Sequence, residues 1–145
     1  MSNHAVVKAL KFVLADNYML YLKTQNYHWN VEGPHFKVLH LMFEEQYKEL
    51  ADAIDKVAEL IRGLGEKAPG TFDAYITNTT IQPGNENASA DQMVKELLDD
   101  QETIHKTLRK ALDSAQQAND EVVASFLIER LTVHRKIAWM LKSSL

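Results

Sequence analysis

Apolar residues recur along this chain at intervals of three and four, the spacing of a helix that buries one side. The first such run predicts a helix from about Val6 to Trp29, with Val7, Leu10, Leu14 and Tyr21 on one side. His28 falls 18 residues after Leu10, about five turns, and so continues that stripe. Val31-Glu32-Gly33-Pro34 breaks the pattern, and Pro34 suits the opening of a second helix, from about His35 to Arg62. Its apolar side reads Phe36, Leu39, Phe43, Tyr47, Leu50, Ile54, Val57 and Ile61, and Gly63-Leu64-Gly65 ends it. Residues Glu66 to Asn87 hold two of the three prolines, with room for one short helical turn around Phe72 to Ile76.

Two further periodic runs follow. Ser89 or Asp91 is placed to cap a third long helix with Val94, Leu97, Leu98, Ile104, Leu108, Ala111, Leu112 and Ala115 inward. Asn119 or Asp120 is placed to cap a fourth, with Val123, Phe126, Leu127, Leu131, Ile137, Ala138 and Leu141 inward. No stretch alternates as a strand would, and no linker divides the chain. The expectation is a single all-α domain over residues 1–145, a four-helix bundle with a short extra helix in its middle connection.

Composition narrows the chemistry. With no cysteine, any metal site must be built from His, Asp and Glu, and thiol catalysis is excluded. The net charge of −4 argues against a general electrostatic grip on nucleic acid. No apolar stretch is long enough to cross a bilayer, and the start lacks the apolar core of a secretory signal, so the expected location is the cytoplasm.

One feature of the second helix exceeds what a core needs. His40, Glu44, Asp55 and Glu59 fall within roughly a 100° arc bordering the apolar side. With His28 they make two imidazoles and three carboxylates, a donor set suited to non-haem iron. Glu44 and Asp55 point the same way but lie roughly 16 Å apart along the axis, so one chain cannot bring both to one ion. Two such helices packed antiparallel about a two-fold axis would join the His40/Glu44 half of one chain to the Asp55/Glu59 half of the other. On spacing alone, carboxylates four apart on a long helix belong more often to a solvated face.

The wording of the segment carries more. Tyr27-His28-Trp29-Asn30-Val31-Glu32-Gly33-Pro34-His35-Phe36, then Leu39-His40, Phe43-Glu44-Glu45-Gln46-Tyr47 and Asp55-Lys56-Val57-Ala58-Glu59, closely resembles the Dps family, the miniferritins. The likeness runs on, more loosely, to Ala138-Trp139-Met140. It implies a ferritin-like fold and a ferroxidase that oxidises Fe(II) with hydrogen peroxide or oxygen, protects against oxidative stress and stores a ferric oxyhydroxide mineral core. It implies a dodecameric homo-oligomeric cage built from two-fold dimers. Carried over residue by residue, the iron ligands are His28, His40, Glu44, Asp55 and Glu59, with two ions per site. Family members often have Asp where Glu44 stands, so the longer side chain bears on how the first iron is held.

The resemblance also marks Asp120 and Glu121 as pore acids, although acids there equally suit a helix N-terminus. Trp29, next to His28, is placed to donate an electron when only one iron is present, although it serves equally as apolar packing at an interface. Some relatives compact DNA through a lysine-rich tail, and a nucleoid protein is the alternative function. Here only Lys8 and Lys11 lie near the start, so DNA binding is expected to be weak or absent. Glu102-x-x-His105 lacks the second such element that a di-iron site within one bundle requires. His105 and His134 are expected in the core or an interface, His4 in a frayed start, and His35 near the second helix's opening.

Overall fold

The structure is a computed structural model that describes residues 2–145. It consists of α1 (Ser2–Asn30), α2 (Phe36–Gly63), α3 (Phe72–Asn78), α4 (Ala90–Gln117) and α5 (Glu121–Lys142). No strand occurs among the described residues. Five residues join α1 to α2 and three join α4 to α5, so each pair folds back as an antiparallel hairpin. Tyr27 meets Glu96 while Asp16 meets Thr107, so α4 runs antiparallel to α1. The connection 64–89 must therefore travel the whole length of the bundle. It does so along α1: Tyr75 stacks on Tyr18, Thr79 and Thr80 bond Asp16, and the Asn85 amide bonds the Tyr27 hydroxyl.

The ends of the helices follow their sequence. Ser89 caps α4 and forms a capping box with Gln92, and Asp120 caps α5 by accepting from the Val123 amide. Asn119, at φ +56°, takes the left-handed position that ends α4, and the Asp120 amide closes the turn on the Ala115 carbonyl. Thr71 caps α3, which spans the turn expected near Phe72 and carries it to Asn78.

The core unites Leu10, Leu14, Phe43, Leu50, Ile61, Leu97, Ile104, Leu108 and Leu127, all essentially inaccessible. Three expectations need correction. α1 begins at Ser2 and not near Val6, so exposed His4 lies in a regular turn, 3.8 Å from Glu66. Phe36 is exposed, because it occupies the first position of α2, ahead of the point where that helix meets α1. His105 is exposed as well, which removes the core alternative and leaves the interface one; its neighbour Ile104 takes the inward position. His134, by contrast, is in the core.

Charged groups are buried where partners meet them. Asp16 is wholly inaccessible and accepts four hydrogen bonds, from the hydroxyls of Thr79, Thr80 and Thr107 and the Thr80 amide. Lys23 lies 2.9 Å from Asp100 and 3.5 Å from Glu96. Burial pushes the Asp100 carboxyl up, against the pull of Lys23. Arg130 of α5 clasps Glu49 of α2 with both terminal nitrogens and donates to His134 Nε2 at 3.2 Å. His134 Nδ1 donates to Gln101 of α4 at 2.7 Å. One polar cluster thus ties three helices together, and a buried imidazole caught between Arg130 and Gln101 is neutral. Burial first, then Arg130 and His105, lowers its pKa from 6.5 to about 3.

Candidate metal centre

The last turn of α1 and the first turns of α2 bring His28, His40 and Glu44 to one end of the bundle. The two imidazoles lie nearly parallel, ring centres 3.9 Å apart. Each ring is anchored to the other residue's backbone: His28 Nδ1 donates to the His40 carbonyl at 2.7 Å, and His40 Nδ1 donates to the His28 carbonyl at 2.6 Å. A carbonyl only accepts, so the proton on each ring sits on Nδ1 and the lone pair of the neutral ring on Nε2. The His28 carbonyl is available because α1 ends two residues later and leaves its last carbonyls without helical partners.

His28 Nε2 faces the Glu44 carboxylate at 3.6 Å. With Nδ1 already committed, a neutral His28 presents a lone pair to an acceptor, an arrangement completed by a cation between them. Glu44 is also reached by Lys48, one turn on, at 3.5 Å. His28 is 6% exposed, so its ring is ordered yet reachable. Phe36 stacks on the far side of His40 at 4.9 Å, and Tyr47 tilts against His28 at 5.3 Å.

Asp55 and Glu59 are not brought to this group. They lie on the exposed side of α2, toward its other end, and make no ion pair or side-chain hydrogen bond among the described residues. No three His, Asp or Glu side chains of the described residues converge closely enough to hold an ion within one chain. Glu59 shares an open cleft with Asp120, whose carboxylate is engaged in capping α5. Glu121 sits exposed in the first turn of α5. Trp29 is 61% exposed, beside His28 in sequence. Sequence reasoning missed the reciprocal anchoring of the two histidines, since spacing along a helix carries no sign of which carbonyl a ring will reach. The stop of α1 just after His28 was the available clue.

An all-α bundle with a connection running its full length, and with histidine and carboxylate pairs on its second helix, defines a ferritin-like protein. The ferritin-like domain family matches residues 7–145. DNA protection during starvation protein 2 of Bacillus anthracis is 36% identical over 143 residues, covering 99% of this chain and 98% of that protein. The crystal structure of a Dps protein from Bacillus brevis superposes with a TM-score of 0.95 at 33% identity, covering 98% of this chain and 95% of the other. The Dps protein from Vibrio cholerae O1, described as a member of a broad superfamily of ferritin-like diiron-carboxylate proteins, superposes at 0.94 with 27% identity, covering 98% and 89%. The chain belongs to the Dps family of ferritin-like proteins.

Proposed function

We propose that this chain is a ferroxidase subunit of a hollow homo-oligomeric cage that oxidises Fe(II) and stores the ferric product. Each site takes His28, His40 and Glu44 from one subunit and Asp55 and Glu59 from its partner across a two-fold axis. All 145 residues serve as one domain, twelve copies close the shell, and the cage works in the cytoplasm. The observation that carries this reading is the pair of reciprocal hydrogen bonds that engages both Nδ1 atoms and turns His28 Nε2 toward Glu44. The roughly 16 Å between the two halves of the ligand set supports a shared site. Two imidazoles with carboxylates fit iron in both oxidation states, and the carboxylates favour Fe(III).

The stoichiometry follows from electron counting. Two Fe(II) ions side by side give one electron each to hydrogen peroxide. The O–O bond breaks, two protons are taken up and two waters form, so no hydroxyl radical escapes. The imidazoles, fixed by backbone carbonyls, bind without first having to be oriented. In this reading Asp120 and Glu121, at the start of α5, are the acids that draw Fe(II) inward, a role the family resemblance implies. Crystals soaked in Fe(II) and measured at the iron edge should show anomalous density against His28, His40 and Glu44 of one chain. It should extend to Asp55 and Glu59 of the partner subunit. Iron bound only elsewhere would refute the assignment.

A further inference from the structure

The cleft between α4 and α5 holds the Glu102-x-x-His105 element that the proposed iron site leaves unused. Its volume is about 330 Å³, and its floor is made by Gln101 and His134, 4% and 2% exposed. The hydrogen bonds beneath that floor run in one direction. A guanidinium only donates, so His134 Nε2, 3.2 Å from Arg130, accepts, and the ring proton stands on Nδ1. That proton goes to Gln101 Oε1 at 2.7 Å, which fixes the end of the amide that faces His134. The Gln101 amide nitrogen, with both its protons, is left at the cleft and bonds no protein group among the described residues. Unlike the Gln46 amide nitrogen, it is not closed off from solvent. Around the rim stand His105 and Lys106 of α4 and Arg135 of α5, all exposed, together with the Glu102 carboxylate. Neither Lys106, Arg135 nor Glu102 makes an ion pair among the described residues.

We propose that this cleft is a binding site for inorganic hydrogenphosphate. None of its residues is a proposed iron ligand, so the site stands apart from the ferroxidase reading. On a chain with a net charge of −4, the cleft gathers Lys106, Arg135 and an outward N–H donor around one recess. Such a set takes an oxyanion. Arg135 offers a planar fork of donors, Lys106 a point charge, His105 a ring N–H and Gln101 a neutral donor from the floor. Arg130 stands behind that floor, and each bond of the series polarises the next, which strengthens the Gln101 donor. Glu102 decides which oxyanion enters. A carboxylate only accepts, so it repels an anion whose oxygens are all bare, such as sulfate or a phosphodiester. Hydrogenphosphate carries one P–O–H, which donates to Glu102 while its other oxygens accept from the cations and the amide. A nucleic-acid backbone is made of diesters and is refused on the same ground.

Isothermal titration calorimetry tests this on the assembled protein, freed of metal by chelation so that no bound iron captures the anion. Sodium phosphate, sodium sulfate and dimethyl phosphate are titrated separately at neutral pH and one ionic strength. The expected result is saturable binding of one phosphate per chain. Sulfate and dimethyl phosphate should bind about tenfold more weakly or worse, the loss of one charge-assisted hydrogen bond. Lys106→Gln combined with Arg135→Gln should weaken phosphate by about a factor of ten or more. Glu102→Gln should let sulfate bind as tightly as phosphate, because an amide donates to a bare oxygen. All three side chains are exposed, and circular dichroism with size-exclusion confirms that the variants fold and assemble. The contrast between phosphate and sulfate needs no variant. Absence of saturable phosphate binding would overturn the site, and so would unchanged affinity in the Lys106/Arg135 double variant. Sulfate or dimethyl phosphate matching phosphate on the unsubstituted protein would refute hydrogenphosphate as the ligand.

Discussion

Replacing His28 and His40 by alanine in one variant, and Asp55 and Glu59 in a second, removes opposite halves of the proposed site. The halves are roughly 16 Å apart on one straight helix, so no bending of α2 lets a single chain complete a site. Each variant alone should assemble and be inactive, since every site in its homodimer lacks half its ligands. Mixed dimers form when the two are unfolded and refolded together, because a two-fold interface pairs the same surfaces whichever variant supplies them. In a mixed dimer one site collects both damaged halves and the other both intact halves. Random pairing makes half the dimers mixed, and half of their sites are good, so about a quarter of the original activity should return. Stopped-flow absorbance of ferric species after peroxide addition reads the recovery, and native mass spectrometry confirms the mixed dimers. Recovery near zero in a sample proven to contain them would refute the shared site.

Asp16→Ala should destabilise the fold by about 3 kcal/mol, because it strips an inaccessible carboxylate from four part-buried donors at once. Denaturant titration followed by circular dichroism checks this, and a loss below about 1 kcal/mol would contradict it. His134 stays neutral in the fold down to about pH 3, whereas the unfolded chain protonates it below about 6.5. The unfolded state therefore binds the extra proton between those values, and stability should fall as pH drops through that window by up to about 1.4 kcal/mol per unit. His134→Gln should flatten that slope; an unchanged pH profile of unfolding would show that other groups set it. Duplex DNA should show little retardation at about 150 mM salt, given a charge of −4 on every subunit. A clear gel shift without added divalent metal would overturn that expectation.

The helices were readable because burial on one side imposes a period, and a period survives in the order of residues. Leu10, Leu14, Phe43, Leu50, Leu97, Ile104, Leu108 and Leu127 are buried as the pattern requires. Caps were readable too, since Ser89 and Asp120 each act on the amide three residues away. Buried charge was not. Lys23, Asp100 and Arg130 look like surface residues until Lys23 and Asp100 meet across two helices and Glu49 reaches Arg130 from a third, and nothing local announces those partners. Phe36 and His105 failed for the opposite reason. Periodicity assigns a side of the helix, but whether a neighbour covers that side at that level depends on where the helices cross. For the candidate site, spacing and wording picked out the residues, whereas the stacked rings and their carbonyl anchors appear only in three dimensions.

The anchors of His28 and His40 are main-chain carbonyls, and no side-chain exchange at either position deletes them. His28→Ala keeps the carbonyl that His40 holds, and His40→Ala keeps the one that His28 holds. Had each imidazole instead oriented the other through its own nitrogen, losing one would have set the other loose. The pair is redundant in its support though not in its chemistry, so the two donors can be exchanged independently. Asn, Gln or Asp could be tried at one position while the other keeps its tautomer and direction. Selection among different metals could then explore this end of the bundle one ligand at a time, with no intermediate step in which both are lost.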